Sequence, residues 1–120
     1  MRTFSAGLSV LASMVAFVAT IGFTPVAVAS DAVAEGKALA TDRRLGNCMS
    51  CHVMGDAALP GNIGPPLVAM KARFPDKAKL HAQIWDATTR NPQSLMPPFG
   101  KHGVLSKSDI DKIVEYLLTL

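Results

Sequence analysis

Cys48 and Cys51 are the only cysteines in this 120-residue chain, and His52 follows them directly in the stretch GNCMSCHVMG. Four chemistries use such a grouping: a disulfide, a zinc clip, a redox dithiol and a haem anchor. Zinc takes four protein ligands in structural sites, and the remaining histidines, His81 and His102, do not stand at finger spacing. A thioredoxin-like dithiol needs a strand before the motif and a βαβ frame, whereas the residues upstream of Cys48 are rich in Ala, Lys and Arg and look helical. A disulfide across two residues closes almost no chain and would be a poor staple. C-x-x-C-H is the attachment signature of c-type haem. The two thiols add to the vinyl groups of one porphyrin, and the short link sets the next imidazole beneath the iron. The motif reads as an anchor for one covalent haem c, with Cys48 and Cys51 as thioether donors and His52 as an iron ligand.

A six-coordinate iron needs a second axial ligand. Met49 sits inside the attachment segment and Met54 only two residues past His52, so neither easily reaches the opposite face. Met70 lies in LVAMKARF, which predicts a helix with Leu67, Met70 and Phe74 on one side. A methionine at helical spacing is more often core. Met96 stands in NPQSLMPPFG, where Pro92, Pro97, Pro98 and Gly100 forbid a regular helix or a central strand. There a thioether gains from the stiffness of its loop, which has little entropy left to lose. Histidine–methionine ligation raises the reduction potential and suits electron transfer. Met96 is the preferred ligand and His102, six residues later, the alternative.

The segment PGNIGPPL, residues 60–67, reads in two ways. It is a sharp turn between helices, or it supports the metal ligand. A metal-bound imidazole usually donates its free N–H to a carbonyl or carboxylate, and the Pro65 carbonyl would serve, with Leu67 then packing on the haem face. Spacing alone leaves the two readings open.

These residues must be carried by a frame. Residues 1–29 have a positive tip at Arg2, an uncharged apolar stretch from Phe4 to Phe23 and the small-x-small sequence Ala27-Val28-Ala29. They predict a secretory signal peptide cut before Ser30, with an uncleaved membrane anchor as the alternative. The mature Ser30–Leu120 would be one periplasmic domain with a thin core, of a size that often relies on a cofactor or staple. Without Arg2, eleven Lys and Arg face nine Asp and Glu, a balance too mild to predict nucleic-acid or membrane binding. No stable membrane insertion is expected after cleavage.

Helices are expected over 31–44, with Gly46 as a stop, over 76–90, with Asp76 as N-cap, and over 105–120. The last is the clearest, with Ser106 and Asp109 at capping-box spacing and Ile110, Ile113, Val114, Leu117 and Leu118 along one stripe. His81 reads as a helix-surface residue. Trp85 reads as core or as an indole donor to a haem propionate. The fold class is all-α, a small domain wrapped on one haem.

A helix before CxxCH, the GPPL loop, a methionine in a proline-rich loop and the terminal DIDKIVEYLL helix together resemble a class I cytochrome c. The likeness spans residues 30–120. It implies crossed first and last helices, a Pro65 carbonyl holding His52, and Met96 as sixth ligand. GNCMSCH, LPGNIGPPL, MKARFPDKAKL and IWDATTRNPQSLMPPFGKHGVLSKSDIDKIVEYLLTL are similar, more narrowly, to the SoxX small subunits of the SoxAX complexes of bacterial thiosulfate oxidation. The stretch between Ser30 and Cys48 is shorter than in many of them. This narrower likeness implies a SoxA-like monohaem or dihaem partner and a SoxYZ-like carrier whose cysteine is oxidatively coupled to thiosulfate, the L-cysteine S-thiosulfotransferase reaction. The present chain would accept the electrons and pass them to a downstream cytochrome. It has no third cysteine to hold a sulfur substrate. The alternative is a free periplasmic electron shuttle. Lys71, Arg73, Lys77, Lys79 and Lys101 would then form a docking ring, or else simply solvated faces. Phe99 reads as a partner anchor or as core.

Overall fold

Ser106 and Asp109 form the capping box that their spacing predicts. The Ser106 hydroxyl accepts from the Asp109 N–H, and the Asp109 carboxylate accepts from the Ser106 N–H. This satisfies two donors that a helix start would otherwise leave bare. The computed structural model describes residues 26–55 and 59–120, with side chains from Ser30 onward except at 56–58. Four α-helices order the described residues: α1 (Val26–Thr41), α2 (Met70–Arg73), α3 (Lys77–Trp85) and α4 (Lys107–Leu117). Short 3₁₀ turns occupy Cys48–Ser50 and Ala87–Thr89. Among the described residues there is no strand, only an isolated parallel bridge between Met54 and Leu67. The expected signal segment, 1–29, lies outside the described residues apart from the backbone of 26–29, which opens α1.

The stripe of α4 fills the core. Ile110, Ile113, Val114 and Leu117 are buried, joined by Ala40, Met54, Met70, Leu80, Ile84, Leu105 and Tyr116. Leu118 caps the helix end and is only partly buried. The principal helix contact is α1 on α4, with α3 on the same helix next. The first pair crosses through Gly36. A Cβ placed there would stand 2.0 Å from the Lys112 carbonyl oxygen, so the two backbones approach closer than any side chain permits. Lys112 also pairs with Glu35 at 2.5 Å, beside the crossing.

The approach at Gly36 makes a prediction. Alanine would favour helix by ~1 kcal/mol in an isolated α1, but overpacking costs ~1–3 kcal/mol, occasionally more. Because the obstacle is backbone, the second effect should win. Gly36→Ala should lower the urea midpoint of the protein by the equivalent of ~2 kcal/mol. An unchanged or higher midpoint would mean that the helices can separate freely at this point.

Several helix ends depart from expectation. The first stops at Thr41 rather than residue 44 because Asp42 captures the following turn. Its side chain accepts the Arg44 N–H at 2.8 Å, and its carbonyl accepts from Leu45 and Asn47. Local acceptors of this kind compete with the helix ladder. The helix expected over 67–74 shrinks to α2, since Leu67 is drawn into the bridge with Met54 and Ala69 turns left-handed (φ 49). Met70 is 1% exposed and its N–H donates to the Leu120 carbonyl, so its place is the core. The helix expected over 76–90 begins after Asp76, which accepts from the Ala78 N–H, but ends at Trp85, where Asp86 becomes extended.

Candidate functional site

The chain reverses at Asn47, whose left-handed backbone (φ 45) starts the 3₁₀ turn of Cys48–Ser50. Asparagine is among the residues that tolerate this conformation. The Cys48 carbonyl accepts from the N–H groups of both Cys51 (3.2 Å) and His52 (2.9 Å). One tight winding therefore carries both thiols and the imidazole. The thiols are not bonded to each other, and both are partly buried. Burial, reinforced by the neighbouring Cys51, pushes the Cys48 thiol up to about 11. Redox-active dithiols require the opposite shift.

The 60–67 segment is strapped alongside this turn in parallel. Gly61 N–H donates to Met49 (2.8 Å), Gly64 N–H to Cys51 (2.7 Å) and Leu67 N–H to Val53 (2.8 Å). The strap sets the Pro65 carbonyl oxygen 2.7 Å from His52 Nδ1. A carbonyl only accepts, so Nδ1 carries the proton and Nε2 keeps its lone pair for a metal. Gly64 lies against the ring, and a Cβ there would stand 2.3 Å from His52 Cε1. At Gly61 a Cβ would meet the Ser50 carbonyl at 1.9 Å. Arg73, from α2, donates to the Pro66 carbonyl at 2.7 Å and braces the strap from outside. Leu67 is half-buried against the core.

Met96 lies on the long connection between α3 and α4. It is half-buried, packs against the core, and its N–H donates to the Ser94 hydroxyl at 3.2 Å. Phe99 packs against the core as well, and its carbonyl accepts from Val104 and Leu105. Gly100 seats on the Trp85 ring, where a Cβ would stand 2.2 Å from Cε3. Trp85 remains 38% exposed, so it is neither enclosed core nor free surface. His81 departs from expectation. Its side chain is largely buried, stacks on Trp85 at 6.1 Å between centroids and places Nε2 3.6 Å from an Asp111 carboxylate oxygen. The α3 helix faces α4 at this point, which sequence periodicity did not show. His102 is exposed.

The base of this connection is closed by an ion pair that sequence reasoning missed. Asp86 is 8% exposed, accepts from Lys101 Nζ at 2.8 Å and caps the Ala87–Thr89 turn by accepting from the Thr88 N–H and hydroxyl. The Lys101 ammonium, and then the Thr88 hydroxyl, hold the Asp86 carboxyl down to about 2 from 3.8. A depressed carboxyl stabilises the fold fully above its unfolded value, and that contribution disappears as pH falls through about 2. Asp and Lys fifteen residues apart carry no periodic signal. Only Asp86 before Ala-Thr-Thr offered a hint, as a cap.

These residues fit a haem. The imidazole tautomer is correct for iron, and two free thiols stand on the same winding. Leu59 (94% exposed), Ile63 (66%) and Leu95 (83%) are bare on the two connections that carry Pro65 and Met96. Such exposed large apolar side chains suit a flat apolar ligand. Among the described residues, no three His, Cys, Asp or Glu side chains gather as a metal site of protein donors alone.

Comparison with known proteins agrees. Residues 31–117 match the family model described as cytochrome c oxidase, cbb3-type, subunit III. A solved structure of SoxXA from P. pantotrophus is similar at a TM-score of 0.64 and 28% identity, covering 72% of this chain and 79% of that one. An uncharacterized lipoprotein of Aquifex aeolicus (strain VF5) is 38% identical over 74 residues. That match covers 60% of this chain and 35% of the relative, so the chain spans about a third of that protein's length.

Proposed function

Because the chain belongs to the family of cytochrome c oxidase, cbb3-type, subunit III, and is a SoxX-like class I cytochrome c domain, we propose that it is the electron-accepting subunit of a SoxAX-type complex. The observation that carries this reading is the likeness to SoxXA over most of both chains. Its cofactor is haem c; Cys48 and Cys51 would hold one haem covalently, and His52 and Met96 would supply donor atoms to its iron. When bound, the haem supplies reversible one-electron chemistry at its iron. Pro65 keeps the Nδ1 proton of His52 engaged, which fixes the ring and raises the basicity of Nε2. Gly64 leaves room for that ring. Leu67, half-buried at the end of the same strap, would pack against the haem.

Coupling a carrier thiol to thiosulfate joins two sulfurs and releases two electrons and one proton. The bond-forming chemistry belongs to the SoxA-like partner and a SoxYZ-like carrier. This chain takes up the electrons singly and hands them to a downstream cytochrome. Residues 1–29 direct it to the periplasm and are removed. Among the described residues, no helix is long and apolar enough to cross a membrane.

The test is purification of the untagged protein from periplasm. A stoichiometric partner with its own haem, reduction of the pair by thiosulfate and an N-terminus at Ser30 are the expected results. A lone protein that thiosulfate leaves oxidised, yet which exchanges electrons quickly with soluble redox proteins, would make it a free shuttle.

A further inference from the structure

We propose that the Asp86–Lys101 ion pair is the clasp that keeps the Met96 connection closed against the haem, making these two side chains positioning residues for the sixth ligand. The inference rests on the reading of Met96 as an iron ligand. Its own support is the way one carboxylate joins both ends of the connection. One oxygen of Asp86 starts it by accepting from Thr88, and the other ends it by accepting from Lys101 at 2.8 Å. The Lys101 N–H adds a backbone bond to the Trp85 carbonyl at 3.2 Å, and Gly100 rests on the Trp85 ring between them. Everything from Ala87 to Gly100, Met96 included, therefore forms a loop whose two ends meet at α3.

Within that loop the other restraints are local. Ser94 holds the Met96 N–H, Asn91 holds the N–H groups of Gln93 and Ser94, and the Phe99 N–H donates to Pro97. These bonds shape the loop without tying it to the rest of the fold. Beyond them, Met96 and Phe99 pack on the core, and near the loop's end the Pro98 carbonyl accepts from His102 and the Phe99 carbonyl from Val104 and Leu105; the charged attachment is the one at the base. The Lys101 side chain is 58% exposed, whereas the Asp86 side chain is only 11% exposed. Loss of the lysine charge would therefore leave a carboxylate among few alternatives to water, and an opening of the base would expose it. A hydrogen bond to a charged group contributes more than a neutral one, so removing it should shift the closed–open balance by about tenfold.

The experiment uses the haem-loaded, oxidised protein and imidazole as an external ligand, which binds only when the sixth position is vacated. Lys101→Met removes the cation and keeps the Asp86 cap, whereas Lys101→Arg keeps the charge. Asp86→Asn retains an oxygen for Thr88 and provides a second route to the same loss. We expect Lys101→Met and Asp86→Asn to speed imidazole binding about tenfold, with unchanged far-ultraviolet dichroism, and Lys101→Arg to restore most of the wild-type rate. In a Met96→Ala background the same changes should have no further effect, since nothing remains to be displaced. If Met96→Ala accelerates binding but Lys101→Met and Asp86→Asn do not, the clasp is wrong while Met96 stands as ligand. If Met96→Ala itself leaves the rate unchanged, the ligand assignment fails and takes the clasp with it.

Discussion

Replacing Met96 by alanine should abolish the optical signature of a methionine–iron bond and lower the reduction potential. Axial ligands set haem potentials over a span of ~0.8 V, and exchanging a thioether for water or a nitrogen donor moves a haem toward the lower part of it. Met96 is half-buried on a connection stiffened by Pro97 and Pro98. Alanine there removes the sulfur with little reason for the loop to refold. The competing side chains are placed less well. Met70 is committed to the core with 1% exposure, Met54 is buried at the bridge with Leu67, and His102 is exposed. The measurement is a pair of absorption spectra, oxidised and reduced, with a redox titration of each protein. Retention of the methionine band in the variant would transfer the ligand to another residue and undo the assignment. A shift in potential with helical content unchanged would separate loss of ligation from loss of fold.

Converting Cys48 and Cys51 together to alanine should leave no haem on the chain after denaturing electrophoresis, a complete loss. Cys48 opens one short 3₁₀ turn and Cys51 caps it, the two thiols unbonded to each other. No other cysteine exists to replace them. The effect on stability should also be large. The described core draws on one side of α4, on Leu80 and Ile84 of α3 and on single residues from other segments, and a domain of this size buries little apolar surface by itself. A bound group that prefers the folded state adds its binding free energy to stability. The double variant should therefore unfold at lower denaturant, and with a less cooperative transition, than the haem-loaded protein. Haem remaining on the gel would overturn covalent attachment through these residues. An undiminished midpoint would show that the polypeptide core alone is sufficient.

Much of the architecture was readable along the chain because its causes are local. The capping box at Ser106 and Asp109, the cap at Asp76 and the buried stripe through Ile110, Ile113, Val114 and Leu117 depend on residues a few positions apart. Two errors, at Leu67 and His81, fell where a neighbour in space overruled periodicity, and a third was local. Leu67 satisfied a helical pattern and was taken by the Met54 bridge. His81 looked like surface and was covered by α4 through Asp111. Residues 42–44 had helix-compatible composition, but the Asp42 side chain offered the backbone a competing acceptor.

The sequence by itself determined that an imidazole and two thiols share one short segment, that a methionine stands in a proline-bound loop, and that the last helix carries an apolar stripe. These are facts of residue type and spacing, which covalent connection enforces. Only the tertiary structure decided that the Pro65 carbonyl meets His52 Nδ1, because three backbone bonds between 49–53 and 61–67 set that register. It alone brought Gly36 onto the Lys112 carbonyl and Asp86 onto Lys101. Contacts between distant residues depend on how packed helices place their loops, and a pattern of period 3.6 contains no information about which loop will lie across which.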